Sequence, residues 1–240
     1  MTSSQPLPHT TDAFHQSVLA LEPKIAVFDC DGTLWSGDAG STFMRWTMET
    51  RLLSAERTAW LNERYEGYKR GEVNELQICG EMVQVYEGIP VSTLREAAAT
   101  FFAEHIEKNI FPEMRALITE LQARGTDIWC VSSTCDWVIE EGVKRFNIPA
   151  NRVLAACVAP EGDKASATLL DVPTDEGKVA SLKRMQITAP DAVFGNSVHD
   201  AAMLAIAREA FPVNPSPALV ERSAQESWAV FYPSSVAPAR

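Results

Sequence analysis

No apolar run in this chain approaches the length that a membrane-spanning helix needs, so no membrane partner is expected. No basic stretch offsets the net charge of −11, which argues against a nucleic-acid partner. A small anion could bind only in a local electropositive pocket. Cysteine is scarce: the five residues, at 30, 79, 130, 135 and 157, are odd in number and form no C-x-x-C pair. They read as buried, reduced thiols of a cytoplasmic protein, not as a metal site. The opening MTSSQPLPHTTDAFHQ is polar and lacks the basic-then-apolar order of a signal peptide. Residues 1 to about 11 read as a frayed tail. There is no internal repeat and no low-complexity tract.

The 240 residues are 46% hydrophobic and 22% charged, which fits one large globular domain or a domain plus an insertion. Short apolar runs recur, each closed by polar or turn residues: IAVF before Asp29, IWCV before Ser132, AVF before Gly195, FPV before Asn214, and WAVFY before Pro233. They are too short for helices and apolar at successive positions, as central parallel strands are. Helical patterns lie between them, over Pro112 to Arg124, Asp136 to Phe146 and Asp200 to Arg208. VLAACV and SATLLDV flank a turn-like PEGDK and predict a hairpin. The alternation predicts an α/β fold, a doubly wound parallel, Rossmann-like sheet. Residues 37–107 break the rhythm with four helical patterns in series and no strand. They predict a helical cap inserted after the first strand, with 1–36 and 108–240 forming the core.

Ligands of a doubly wound sheet bind at the carboxyl ends of its strands. Here those ends carry Asp29 and Asp31, Ser132 and Ser133, Asn196 and Asp200, and Asn214. A lone Ser or Asn after a strand is usually a turn or cap residue. Two carboxylates one residue apart at a partly buried strand end are different. They repel, and a hard cation such as Mg²⁺ would compensate them.

Asp29-Cys-Asp31-Gly32-Thr33 resembles the first motif, DxDGT, of the haloacid dehalogenase-like hydrolases. Ser132 resembles the hydroxyl residue of the second motif. Lys178, in TDEGKVASL, resembles the lysine of the third, and FGNSVHD, Phe194 to Asp200, the acidic fourth. The four fall in the family's order and span nearly the whole chain. The cap position, the VNPSPAL of Val213 to Leu219 and the hairpin before the lysine are similar to the phosphoserine phosphatase-like branch.

The resemblance implies a Mg²⁺-dependent phosphomonoesterase for a small phosphorylated metabolite. Asp29 would be the nucleophile, passing through an aspartyl-phosphate. Asp31 would protonate the leaving alcohol and then deprotonate water. The family's dehalogenases lack an aspartate there, so Asp31 argues for phosphate esters. Ser132, Ser133 and nearby backbone N–H groups would hold phosphate oxygens, and Lys178 would neutralise charge. The metal set would be Asp29, Asp31 through its carbonyl, Asn196 and Asp200. The fourth motif usually opens with an aspartate, and here that position is Asn196. This departure keeps open a binding relative with impaired turnover, and the motifs equally allow a phosphotransferase.

Asp38 stands nine residues after Asp29, where phosphoserine phosphatases carry a glutamate that meets the substrate amine. It is read both as a specificity residue and as the cap of the helix starting near Gly40. An amine-bearing ester follows as the expected substrate: phosphoserine first, then phosphoethanolamine or phosphocholine. Arg45 is read as a partner for a substrate carboxylate or as a solvent-facing residue. Of the cap aromatics Trp35, Phe43, Trp46, Trp60, Tyr65 and Tyr68, most are expected in the core and one or two facing the crevice, where aromatic rings attract an ammonium group. The oligomeric state is not legible.

Overall fold

The computed structural model describes residues 10–236. The tail expected over residues 1 to about 11 lies outside them, except for Thr10 and Thr11, which cap and open the first helix. That helix, α1 (Thr11–Leu19), leads to the first strand, β1 (Ile25–Phe28). Four helices follow without a strand: α2 (Ala39–Glu49), α3 (Ala55–Lys69), α4 (Glu75–Gln84) and α5 (Val91–Phe101). Then come α6 (Pro112–Ala123), β2 (Asp127–Cys135), α7 (Asp136–Val143), and the antiparallel pair β3 (Val153–Glu161) and β4 (Lys164–Asp171). The chain ends with α8 (Glu176–Arg184), β5 (Ala192–Gly195), α9 (Ala201–Ala205), β6 (Glu209–Pro212) and α10 (Pro217–Glu226).

The six strands form one sheet in the order β4-β3-β2-β1-β5-β6, parallel except for the edge strand β4. β1 lies at its middle, between β2 and β5, so its end is flanked by the ends of both neighbours. Side chains alternate across a strand, and β1 shows it. Ala26 and Phe28 enter one core while Val27 enters the other, with Val131, Val193 and Leu182. Phe28 stacks on Phe194 at 4.2 Å between ring centroids.

The residues that leave and re-enter the sheet around the four helices are tied together. Ser36 N donates to Asn109 O at 3.0 Å, and Phe111 N to Leu34 O at 3.0 Å. The β3–β4 hairpin holds the far side of the insertion. Gly88 N donates to Ala165 O at 2.8 Å, Ala165 N to Ile89 O at 3.0 Å, and Val91 N to Asp163 O at 2.8 Å.

Three sequence expectations need correction. WAVFY is not a strand: it meets β6's extension in a single bridge, Val213 with Phe231, and Pro233 has no N–H to prolong it. The helix expected over Asp200 to Arg208 is only the short α9, entered through a 3₁₀ turn at Val198–Asp200. β2 runs past Ser132 to Cys135, with a register shift against β3 between those two residues. Among the described residues, no helix is long and apolar enough to cross a membrane.

Candidate active site

Asp29 follows the last residue of β1, and its N–H continues the ladder by donating to Phe194 O at 2.9 Å. Its carboxylate is buried. Oδ2 accepts from the Thr33 hydroxyl at 2.9 Å, and Oδ1 from Lys178 Nζ at 2.7 Å. Lys178, on the first turn of α8, also donates to Asp200 Oδ1 at 2.5 Å and to Val131 O at 3.2 Å. One buried ammonium thus lies between two buried carboxylates. Burial pushes the Asp29 carboxyl up to about 7, Asp200 adds to the rise, and Lys178 opposes it. Burial works against the Lys178 charge, but Asp200 and Asp29 outweigh it and hold its pKa above the ordinary lysine value.

Asp31 lies two residues on. Its Oδ1 accepts from Trp35 Nε1 at 2.6 Å and Ala39 N at 2.8 Å, and its Oδ2 from the Thr134 hydroxyl at 2.7 Å. Burial, then the neighbouring Asp38 charge, raises its carboxyl to about 6. The turn that carries both aspartates bends at Gly32, whose φ is +74°. A Cβ there would stand 1.8 Å from the Asn196 amide nitrogen, so glycine alone lets the β5 end close on the β1 end.

Asp29, Asp31, Ser132, Ser133, Lys178 and Asn196 line one cavity of about 230 Å³. The inserted helices close it with Asp38, Phe43, Tyr65, Tyr68 and Glu75, among others. Asp200 is not among the lining residues. Its Oδ2 accepts from Asn196 N and Ser197 N, both at 2.9 Å, as half of a capping box. It braces the fourth-motif turn and Lys178 from behind. Among the described residues, no group of three His, Cys, Asp or Glu side chains is clustered as a metal cage. The expected metal set joins Asp29, the Asp31 carbonyl, Asn196 and Asp200; here Asp200 turns its oxygens to Lys178 and the backbone. Asn214 is not in the cavity; its amide donates to Gly32 O at 3.3 Å.

Asp38 is the N-cap of α2, its Oδ1 accepting from Ser41 N at 2.9 Å, and it faces the cavity as well. Arg45 is exposed and donates to Thr42, away from the cavity. Trp60 is exposed on the outside of the helices. Tyr65 and Tyr68 line the cavity while packing against the core. Sequence reasoning missed Thr33, Trp35, Thr134 and Glu75 as site residues. Thr33 was legible as part of DxDGT; the others reach the site only through the fold.

A family model of the haloacid dehalogenase-like hydrolases matches residues 26–205. The chain belongs to that family. The haloacid dehalogenase-like frame extends to more specific likenesses. The histidinol-phosphatase of Neisseria meningitidis serogroup C (strain 8013) is 23% identical over 216 residues, covering 86% of this chain and 97% of that one. A Bordetella pertussis Tohama I protein of unknown function superposes with a TM-score of 0.76 at 19% identity, over 86% of this chain and 97% of that one. A phosphoserine phosphatase solved as a phospho-aspartyl intermediate analogue superposes with a TM-score of 0.59 at 15% identity, over 88% and 94% of the two chains. At these identities the two superpositions show a shared fold.

Proposed function

We propose that this hydrolase is a Mg²⁺-dependent phosphomonoesterase that acts on a small phosphorylated metabolite through an aspartyl-phosphate at Asp29. The observation that carries this reading is the convergence of Asp29, Asp31 and Lys178 on one cavity. The phosphatase names of the curated relative and of structural neighbours support it. Residues 37–107 serve as the cap and the rest as the core. The five free thiols support a reducing, cytoplasmic setting.

Magnesium fits the chemistry of the donor set. The Asp29 carboxylate, the Asp31 carbonyl and the Asn196 amide offer oxygen only, which suits a hard cation. The negative charge around Asp29 and Asp31, offset within the cavity by Lys178, fits a cation as well. Asp200 would act on the metal at one remove, through the Asn196 turn that it holds. When bound, Mg²⁺ would neutralise charge on the phosphoryl oxygens and the nucleophile.

The residues divide the work as follows. The Asp29 carboxylate attacks phosphorus as the bond from phosphorus to the ester oxygen breaks. Asp31, whose carboxyl is raised to about 6, gives its proton to the departing alkoxide. Its three hydrogen-bond donors fix its direction. Water then attacks phosphorus, its proton returns to Asp31, and the bond to Asp29 breaks, leaving inorganic phosphate and a free carboxylate. Lys178 holds positive charge beside Asp29 throughout, and Ser132 and Ser133 bind phosphoryl oxygens. Asp38, beside Asp31, supports an amine-bearing alcohol as the leaving group.

The test is phosphate release from a panel that contains phosphoserine, phosphoethanolamine, phosphocholine, histidinol phosphate and alkyl phosphates. Turnover should stop with a chelator and return with Mg²⁺. An added alcohol acceptor separates hydrolysis from phosphotransfer. No release from any ester, or release that ignores the chelator, overturns the reading.

A further inference from the structure

Asp175 stands at the N-cap of α8, three residues before Lys178, in a backbone conformation that side chains rarely adopt. Its φ is +50° and its ψ −128°. Gly177 N donates to Thr174 O at 2.8 Å, so Asp175 is the first central residue of a tight turn, a place that glycine fills without strain. An aspartate at an N-cap normally accepts from the first N–H groups of its helix. The side chains of Thr10, Asp38, Ser54, Asn74 and Ser216 do so at theirs. Asp175 makes no such bond. Its Oδ1 meets Nδ1 of His199 at 2.8 Å instead. An ionised carboxylate only accepts, so Nδ1–H is the donor whatever the state of the other ring nitrogen.

The His199 and Asp175 side chains are 35% and 45% exposed. A contact so open to water stabilises the fold little, and less than the positive φ and the missing cap cost it. Stability alone therefore favours glycine at 175, or an aspartate turned onto its own helix. Strained residues of this kind persist where the surroundings hold them for function.

What the bond joins supplies that function. His199 lies on the fourth-motif turn, next to Asp200. That turn already meets α8 at one point, where Lys178 Nζ donates to Asp200 Oδ1 at 2.5 Å. A single contact at the tip of a long side chain leaves α8 free to pivot. The Asp175–His199 bond ties the same two elements at the backbone end of α8, where Asp175 O also accepts from Lys178 N at 3.1 Å. Two points fix a direction. With both made, Lys178 Nζ stands 2.7 Å from Asp29 Oδ1.

We infer that Asp175, acting through His199, is a positioning residue that aims the Lys178 ammonium at the Asp29 carboxylate. The inference rests on the phosphatase reading, in which Lys178 holds positive charge beside the nucleophile.

The test compares Asp175→Gly, Asp175→Ala, Asp175→Asn and His199→Ala, assayed on nitrophenyl phosphate with Mg²⁺ and melted without substrate. Asp175→Gly removes the strain together with the carboxylate and should melt no lower than the unmodified protein. Asp175→Ala keeps the strain and should melt below Asp175→Gly. Both should lose about 10- to 100-fold in kcat, the scale of a small misplacement of a catalytic group. Asp175→Asn keeps an acceptor for Nδ1–H and should retain most of the activity. Asp175→Gly combined with His199→Ala should lose no more than the worse single variant, because the two residues act as one unit. An Asp175→Gly protein with unaltered kcat overturns the inference, as does one whose Tm falls along with its kcat, or a double variant whose losses multiply. An alanine variant that melts at or above the glycine one overturns it with or without activity. Absence of phosphate release by the unmodified protein, from this ester and from the panel, is a separate result that overturns the phosphatase reading instead.

Discussion

The Thr134 hydroxyl donates to Oδ2 of Asp31 over 2.7 Å, joining the end of β2 to the carboxylate proposed as acid and base on the β1 turn. With Trp35 and Ala39 on the other oxygen, it leaves Asp31 little rotational freedom. Thr134→Val keeps the shape and removes the donor. The expected result is a loss of roughly 5- to 30-fold in kcat on alkyl phosphates, about 1–2 kcal/mol of one hydrogen bond. The loss should be smaller on nitrophenyl phosphate, whose leaving group departs without a proton. Equal losses on both would separate Thr134 from acid catalysis.

Lys178 neutralises two buried carboxylates at once, at 2.7 Å from Asp29 and 2.5 Å from Asp200. Lys178→Met should lower stability by about 3–5 kcal/mol, the cost of leaving buried charge unpaired. Adding Asp200→Asn should restore part of that loss while activity stays absent. Denaturant titration checks both. A stable single variant would mean that the ion triad is not holding the site together.

Asp136 opens α7, with its Oδ1 accepting from Trp137 N at 2.9 Å. Burial, and then the Glu140 charge, raises its carboxyl to about 7. The folded protein therefore holds this proton more tightly than the unfolded chain between about pH 4 and pH 7. Stability falls as pH rises through that window and levels off above it. Asp136→Asn should stabilise the protein at pH 8 by a few kcal/mol at most, roughly, and leave it unchanged near pH 3. Urea midpoints at the two pH values give the answer. An equal change at both would mean that charge is not the cause.

Asn196 packs over Gly32 at the mouth of the cavity, where its amide oxygen is proposed to meet the metal. Asn196→Asp adds a formal charge at constant size. The Mg²⁺ concentration for half-maximal activity should fall by about tenfold or more, in line with a charge-assisted contact. An unchanged titration curve would remove Asn196 from the metal set.

Much of this was legible in the sequence. The strands IAVF, AVF and FPV, the hairpin around PEGDK and the helix from Pro112 to the turn at Gly125 follow from local pattern, and each stands close to where it was expected. That Asp29, Asp31, Ser132 and Lys178 gather at one cavity was readable from motif order. What failed depended on contacts distant in sequence. Phe231 pairs with the extension of β6 at one point only, which no local pattern reveals. The hydrogen bonds that tie Asp200, expected from the fourth motif in the metal set, to Lys178 and two backbone amides were likewise not legible. The approach of Glu75 on α4 to His199, 3.9 Å apart, joins stretches far apart in sequence and leaves no trace in either.

The central claim is that Asp29 carries the phosphoryl group. The most direct measurement is an acid-quenched single turnover with ³²P-labelled ester and Mg²⁺, followed by peptide mapping. The account predicts a hydroxylamine-labile label on the peptide that holds Asp29, absent in Asp29→Asn, whose turnover falls by orders of magnitude while its Tm is kept. An Asp29→Asn protein that retains most of its activity, or a label on any other residue, would contradict it.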